Sequence, residues 1–234
     1  MNLSSAEGEA PKSQEGPTYL VFDIEATCAQ DTLLRPQEIV QMAAVLVCAG
    51  SFEVLGSFST FVQPSLNPVL TPFCASLLGI SQEEVSGSCD FAGALLLLAR
   101  WMNKFGLWRT RQCTVVTWGN WDLMCMLPAQ CDISGCAIPR EFRSWFNIKW
   151  FVNSAYYIHT NVSCKNVVTE YFRLPWQGRE HNALADCTNV AALLRAVVAP
   201  GMPIPITCLT VKGRERWRRM QWPFKSKNVD VDVT

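Results

Sequence analysis

The stretch Tyr19 to Cys28, YLVFDIEATC, constrains this chain more than any other. Tyr19, Leu20, Val21 and Phe22 form a short apolar run behind Gly16-Pro17, which reads as a buried strand. Side chains alternate across a strand, so Asp23 and Glu25 share one face while Phe22 and Ile24 share the other. Two carboxylates on one face of a buried strand are costly unless positive charge lies between them. A divalent cation, which takes oxygen ligands, meets that need. A plainer reading, two acids solvated at a strand end, stands beside it until the rest of the chain is considered.

A chain of 234 residues suffices for one sizeable α/β domain or two small ones. Hydrophobic content of 49% with 17% charged residues points to a packed core and excludes a wholly disordered chain. Twenty basic and twenty acidic side chains cancel, so bulk charge is silent about nucleic acid. The 11 cysteines are odd in number and follow no repeated spacing. Several, such as Cys48, Cys113 and Cys208, sit in apolar runs, where a free thiol behaves as a small hydrophobe. With no signal peptide, the expectation is a reducing, intracellular compartment, its identity open. Cys125, Cys131 and Cys136 match no zinc spacing, and the chain has two histidines. Asn161-Val162-Ser163 is a glycosylation sequon, idle in a chain that is not secreted. No apolar run approaches the roughly 20 residues of a membrane span.

Residues 1–17 are polar and rich in Ser, Glu, Gly and Pro, and read as a disordered leader. A domain over 18–200 follows. After the first strand, Glu38–Cys48 and Phe52–Val62 read as two strands of an antiparallel hairpin. Thr71-Pro72 opens a helix that Gly79 closes, and Ser81-Gln-Glu-Glu84 has capping-box spacing. Asp90–Lys104 reads as an amphipathic helix, Cys113–Trp118 as the fourth strand, and Asp122 as the start of another helix. Pro139–Phe146 is predicted as helix, Asn147–Phe151 as the fifth strand, and Ser163–Leu174 and Ala183–Val198 as helices. The segment 201–234 is a tail of different character. Lys212–Lys227 carries seven basic residues against Glu215 alone, with Trp217 and Trp222 among them, for a net +6. That mix suits phosphate attraction and base stacking; a solvated tail or a targeting signal is the other reading.

Acids thus stand at three element ends: Asp23 with Glu25, Asp122 after the fourth strand, and Asp186 in the last helix, five residues beyond His181. In that order they resemble the DEDDh 3′–5′ exonucleases. FDIEATC at 22–28, PQEIV at 36–40, FVQP at 61–64, LTPFC at 70–74, WGNWDL at 118–123, MLPAQC at 126–131 and GREH at 178–181 look like the Eri (enhanced-RNAi) branch, which includes the histone-mRNA 3′-end exoribonuclease. The likeness runs from about Tyr19 to Val198. Two positions depart from the usual pattern: Leu78-Gly79-Ile80 replaces Thr-Gly-Ile, and His181-Asn-Ala-Leu-Ala-Asp186 replaces a version with a Gly and an extra Asp. The SAP nucleic-acid-binding domain of the family has no counterpart in the sequence.

The resemblance implies an α/β, ribonuclease H-like fold, a central mixed five-stranded sheet flanked by helices. It implies two Mg²⁺ ions, or Mn²⁺, about 3.5–4 Å apart, with Asp23 binding both and Glu25, Asp122 and Asp186 completing the sites. His181 takes the proton of the attacking water as general base. The substrates implied are RNA 3′ ends, single-stranded or with a short overhang, and the products nucleoside 5′-monophosphates. Single-stranded DNA as substrate, or RNA binding without catalysis, are the alternatives. Protein partners in RNA processing fit the same reading. The terminal nucleotide is expected against Ala26 and Thr27 and the loop from Phe73 to Ile80. Trp118 and Trp121 either stack on bases or pack in the core.

Overall fold

The computed structural model describes residues 16–32, 34–200, 204, 206 and 208–209. The leader to residue 15 and the basic stretch 212–227 lie outside them.

The strand expected from YLVFDIEATC forms over Thr18–Ala26 (β1). Ile39–Cys48 (β2) pairs antiparallel with it, and Val54–Phe61 (β3) antiparallel with β2, as the hairpin reading required. Cys113–Thr117 (β4) joins β1 in parallel, and Ser144–Asn147 (β5) joins β4 in parallel. These are the five strands of the expected mixed sheet. Cys208–Leu209 (β6) adds a short sixth, antiparallel to β5, from the segment read as tail. The order is β3-β2-β1-β4-β5-β6.

Helices cover both faces. Tyr19 and Val21 of β1 and Ala43, Val45 and Val47 of β2 pack with Cys187, Val190, Leu193 and Leu194 of the helix Ala183–Val197, which is α7 in chain order. The alternate residues Leu20, Phe22, Ile24, Met42, Ala44 and Leu46 pack with Phe91, Ala94, Leu98 and Met102 of Phe91–Lys104 (α3). Two short helices precede it. Pro72–Leu78 (α1) is capped by Thr71, whose hydroxyl accepts from Cys74 N, and ends at Gly79 with φ 67°. Gln82–Ser86 (α2) has the predicted capping box between Ser81 and Glu84. A π-helical turn, Trp121–Met126, leads into Leu127–Ile133 (α4). Among the described residues no helix is long and apolar enough to cross a membrane.

One region differs from expectation. Arg140–Arg143 is a short 3₁₀ turn rather than part of a helix, β5 ends at Asn147, and Ile148–Tyr156 is helical (α5). Trp145 and Phe146 are both fully buried, so this four-residue strand shows none of the alternation that marks a strand with one wet face. Asn147 turns the chain into α5 by accepting from Trp150 N at 2.9 Å.

Candidate active site

The two-residue period that puts Tyr19 and Val21 against α7 puts Asp23 and Glu25 on the same side. They follow at the carboxyl end of β1, beyond its pairing with β4, which covers Thr18–Val21. Asp23 lies opposite Ala43 of β2, a side chain small enough to leave room above the sheet. Asp122 arrives from the next strand. β4 ends at Thr117, the chain turns at Gly119 with φ 100°, and Asp122 sits in the first turn of the π-helical segment, 4% exposed. Its Oδ1 accepts from Ile24 N, between the two β1 acids, at 3.2 Å. Asp186 lies in the first turn of α7, capped by Asn182, where the helix dipole favours an anion.

Asp23, Glu25 and Asp186 each present a carboxylate oxygen within 4.8 Å of the other two. Among the described residues no Lys or Arg forms an ion pair with any of the four acids. Oδ1 of Asp186 is buried and accepts no hydrogen bond. The electrostatic consequence is uniform. Burial pushes Asp23 well above the carboxylate range, and the charges of Asp122, Glu25 and Asp186 push it further. Burial raises Glu25 to about 8, with Asp186 and Asp122 adding to it. Burial lifts Asp122 to about 7 against the backbone amides of Asp122 and Ile24, and Asp186 to about 7 against the amide of His181. An orphaned buried oxygen inside an uncompensated acid cluster fits divalent cations: oxygen donors only, close together, wanting positive charge.

His181 stands outside this cluster. It is exposed, with φ 60°, on the loop before α7, and lines a cleft of about 590 Å³ with Phe73, Ser76, Leu77, Lys165 and Arg179. A positive φ is uncommon in a residue with a Cβ and marks a conformation imposed by its surroundings. That loop is held from two sides. Asn189 of α7, fully buried, accepts from Gln177 N at 2.9 Å and donates to Gln177 O at 2.8 Å. Arg179 donates to the carbonyls of Ser76 and Leu77 at the end of α1, the latter at 3.3 Å. Gly79 leaves the space that the guanidinium occupies: a Cβ there would lie 2.8 Å from Arg179 Nε.

The residues predicted to meet substrate divide. Phe73 is half-buried on the cleft wall, and Trp121 is 37% exposed beside Asp122. Ala26, buried, ends β1 next to Glu25. Trp118 packs partly against the α7-side core, with the Lys149 ammonium 5.8 Å from its ring centre. Ile80 is a correction: it is 2% exposed in a small core with Val40, Leu70, Cys74, Leu78 and Val85. Thr27 is another, since its hydroxyl accepts from Glu38 N at 2.9 Å and braces the end of β1.

Glu38, Gln41 and Asn189 escaped the sequence reading. Glu38 is fully buried and its carboxylate accepts from Ser65 N, Ser65 Oγ, Leu66 N and Asn67 N. Gln41 Oε1 accepts from Ala183 N at 3.1 Å, tying the start of α7 to β2. A polar residue alone in an apolar run was the available signal for each.

The exonuclease family model RNase_T matches residues 20–194. The human protein named ERI1 exoribonuclease 3 is 34% identical over 187 residues, covering 78% of this chain and 54% of the relative. The chain therefore spans about half the length of the curated relatives it matches. The nuclease domain of 3′hExo, a DEDDh family member solved with rAMP, superposes with a TM-score of 0.78 at 26% identity over 84% of this chain and 99% of that one. Cell-death related nuclease 4 gives a TM-score of 0.76 at 26% identity over 87% and 71%.

Proposed function

The chain belongs to the RNase_T exonuclease family, in its DEDDh Eri branch, and on that premise we propose that it trims RNA from the 3′ end, releasing nucleoside 5′-monophosphates. The observation that supports this most is the meeting of Asp23, Glu25 and Asp186 within 4.8 Å, with Asp122 bonded between the first two.

Asp23, Glu25, Asp122 and Asp186 would hold a pair of divalent ions, Mg²⁺ or Mn²⁺. When bound, such ions supply Lewis-acid charge to the scissile phosphate and acidify the attacking water. Asp23, which feels all three other acids, occupies the central position. His181 takes the proton of the attacking water; an imidazole with an ordinary affinity near 6.5 suits that transfer. Its place on an exposed loop lets it meet the substrate from the cleft side. Phe73 and Trp121 supply apolar faces for the last bases. RNA 3′ ends as the partner rest on relatives of this fold, one of them solved with the histone mRNA stem-loop. An intracellular site of action, with partners in RNA processing, fits a chain of free thiols.

Oligonucleotides of RNA and of DNA, labelled at either end and incubated with and without EDTA and added Mg²⁺, test the proposal. Expected is metal-dependent loss of RNA from the 3′ end, faster than of DNA, with 5′-monophosphates as product. Internal cleavage, shortening from the 5′ end, or full activity in EDTA would refute it.

A further inference from the structure

Cys28 and Cys74 face each other across the exit of β1. The Thr71 hydroxyl joins their backbones, donating to Cys28 O at 2.7 Å and accepting from Cys74 N at 3.0 Å. Cys74 Sγ lies 3.8 Å from Ala26 O, and its thiol is hydrogen-bonded to the thiol of Cys28. Both are free; Cys74 is buried in the small core beside α1, whereas Cys28 is half-buried and open to a small solute. Cys28 lies three residues past Glu25, and Cys74 follows Phe73 on the cleft wall. The pair thus sits at the join between the metal-binding strand and the helix that walls the substrate cleft.

We propose that Cys28 and Cys74 form a reversible disulfide that switches the nuclease off under oxidising conditions. The oxidant is a peroxide. Hydrogen peroxide oxidises the Cys28 thiol to a sulfenic acid and leaves as one water. The Cys74 sulfur attacks the Cys28 sulfur, the sulfenic oxygen leaves as a second water, and the Sγ–Sγ bond forms. Two electrons pass from the two thiols to the peroxide, and a dithiol returns them by exchange. The hydrogen bond from Cys28, against the opposing effect of burial, brings the Cys74 thiol down to about 7 and so favours the attacking thiolate.

Closing the bond draws the sulfurs from hydrogen-bonding contact to about 2.05 Å. It also ends the reach of Cys74 to Ala26 O. Ala26–Cys28 on one side and α1 on the other must absorb the movement, and a shift of about 1 Å near reacting atoms costs about 100-fold in rate. Other cysteines lack this arrangement: Cys187, also near the acids, bonds Ala43 O and has no thiol partner among the described residues.

The test uses the full chain, reduced, then exposed to stepwise hydrogen peroxide and returned to dithiothreitol. Free thiols are alkylated, and chymotryptic peptides are mapped by mass. Expected is a Cys28–Cys74 cross-linked peptide, a fall of about tenfold or more in 3′ trimming, and recovery of both on reduction. Cys28→Ser and, separately, Cys74→Ser should form no such peptide and keep their trimming rate through the peroxide step. Alkylated thiols at both positions after other cysteines have oxidised, or a cross-link with unchanged trimming, would overturn the proposal. The inference rests on the nuclease reading only for its consequence. The mass readout stands apart: a cross-link in a chain that trims no RNA would count against both the switch and the proposed activity, whereas trimming without a cross-link counts against the switch alone.

Discussion

Asp23, Glu25, Asp122 and Asp186 all bind protons more tightly in the folded chain than in the unfolded one, with burial the first cause. In the metal-free protein the folded state therefore carries more protons than the unfolded state between about pH 4 and pH 8, and stability falls as pH rises through that window. The slope is about 1.4 kcal/mol per pH unit for each proton of difference. Divalent ions replace those protons, so Mg²⁺ should raise the melting temperature more at pH 8 than at pH 5. Thermal melts in EDTA and in Mg²⁺ across that range check this; a metal-free melting temperature that rises toward pH 8 would contradict it. Asp23→Asn removes the charge that the other three oppose. Expected is a metal-free variant at least as stable as the parent at pH 8, a lost Mg²⁺ shift, and trimming down at least about 1,000-fold, the rate equivalent of about 4 kcal/mol.

At the scale of elements, the loop from Gln177 to Asn182 separates two kinds of support. Asn189→Ala leaves the buried Gln177 N and O without partners, which costs about 2 kcal/mol and about 4–8 °C in melting temperature. Arg179 is exposed, so Arg179→Ala should scarcely move the melting temperature. It frees the His181 loop from the end of α1, and the expected effect is a fall of about 10-fold to 100-fold in kcat. Lysine at 179 should not restore it, because an ammonium cannot reproduce the guanidinium fork. Calorimetry beside kcat and KM distinguishes the two variants. Elements with strong local signals were readable: the Thr71-Pro72 start, the Ser81–Glu84 box and the DIE strand are each set by neighbours in sequence. The segment Arg140–Phe151 was not, since a short strand buried on both faces and a helix core share one apolar signature. Only the cap at Asn147 could have moved the boundary. The five candidate catalytic positions were legible through motif order, but Ile80 and Thr27 were not assignable, because packing against Val40 or bonding to Glu38 is long-range information.

For the molecule as a whole, strand direction separates chemistry from attraction. The acids gather at the carboxyl ends of β1 and β4, and β5 runs parallel to β4. β6 runs antiparallel, with Trp145 opposite Cys208 and Ser144 opposite Leu209, so it is directed away from that end of the sheet. The +6 stretch Lys212–Lys227 follows three residues later. Chain that leaves the sheet in this direction is placed to attract RNA at a distance rather than to serve the reacting phosphate. Deleting residues 212–234 should therefore raise KM for RNA and leave kcat at saturation within about twofold. Each phosphate contact contributes about 0.7 to the slope of log affinity against log salt for a single strand. Loss of six net charges should thus flatten that slope by up to about 4. Binding titrations of Asp23→Asn, with and without the tail, from about 50 to 300 mM salt would measure it without degrading the RNA. An unchanged slope would assign the tail's charge to another purpose, and a large fall in kcat would place the tail at the site.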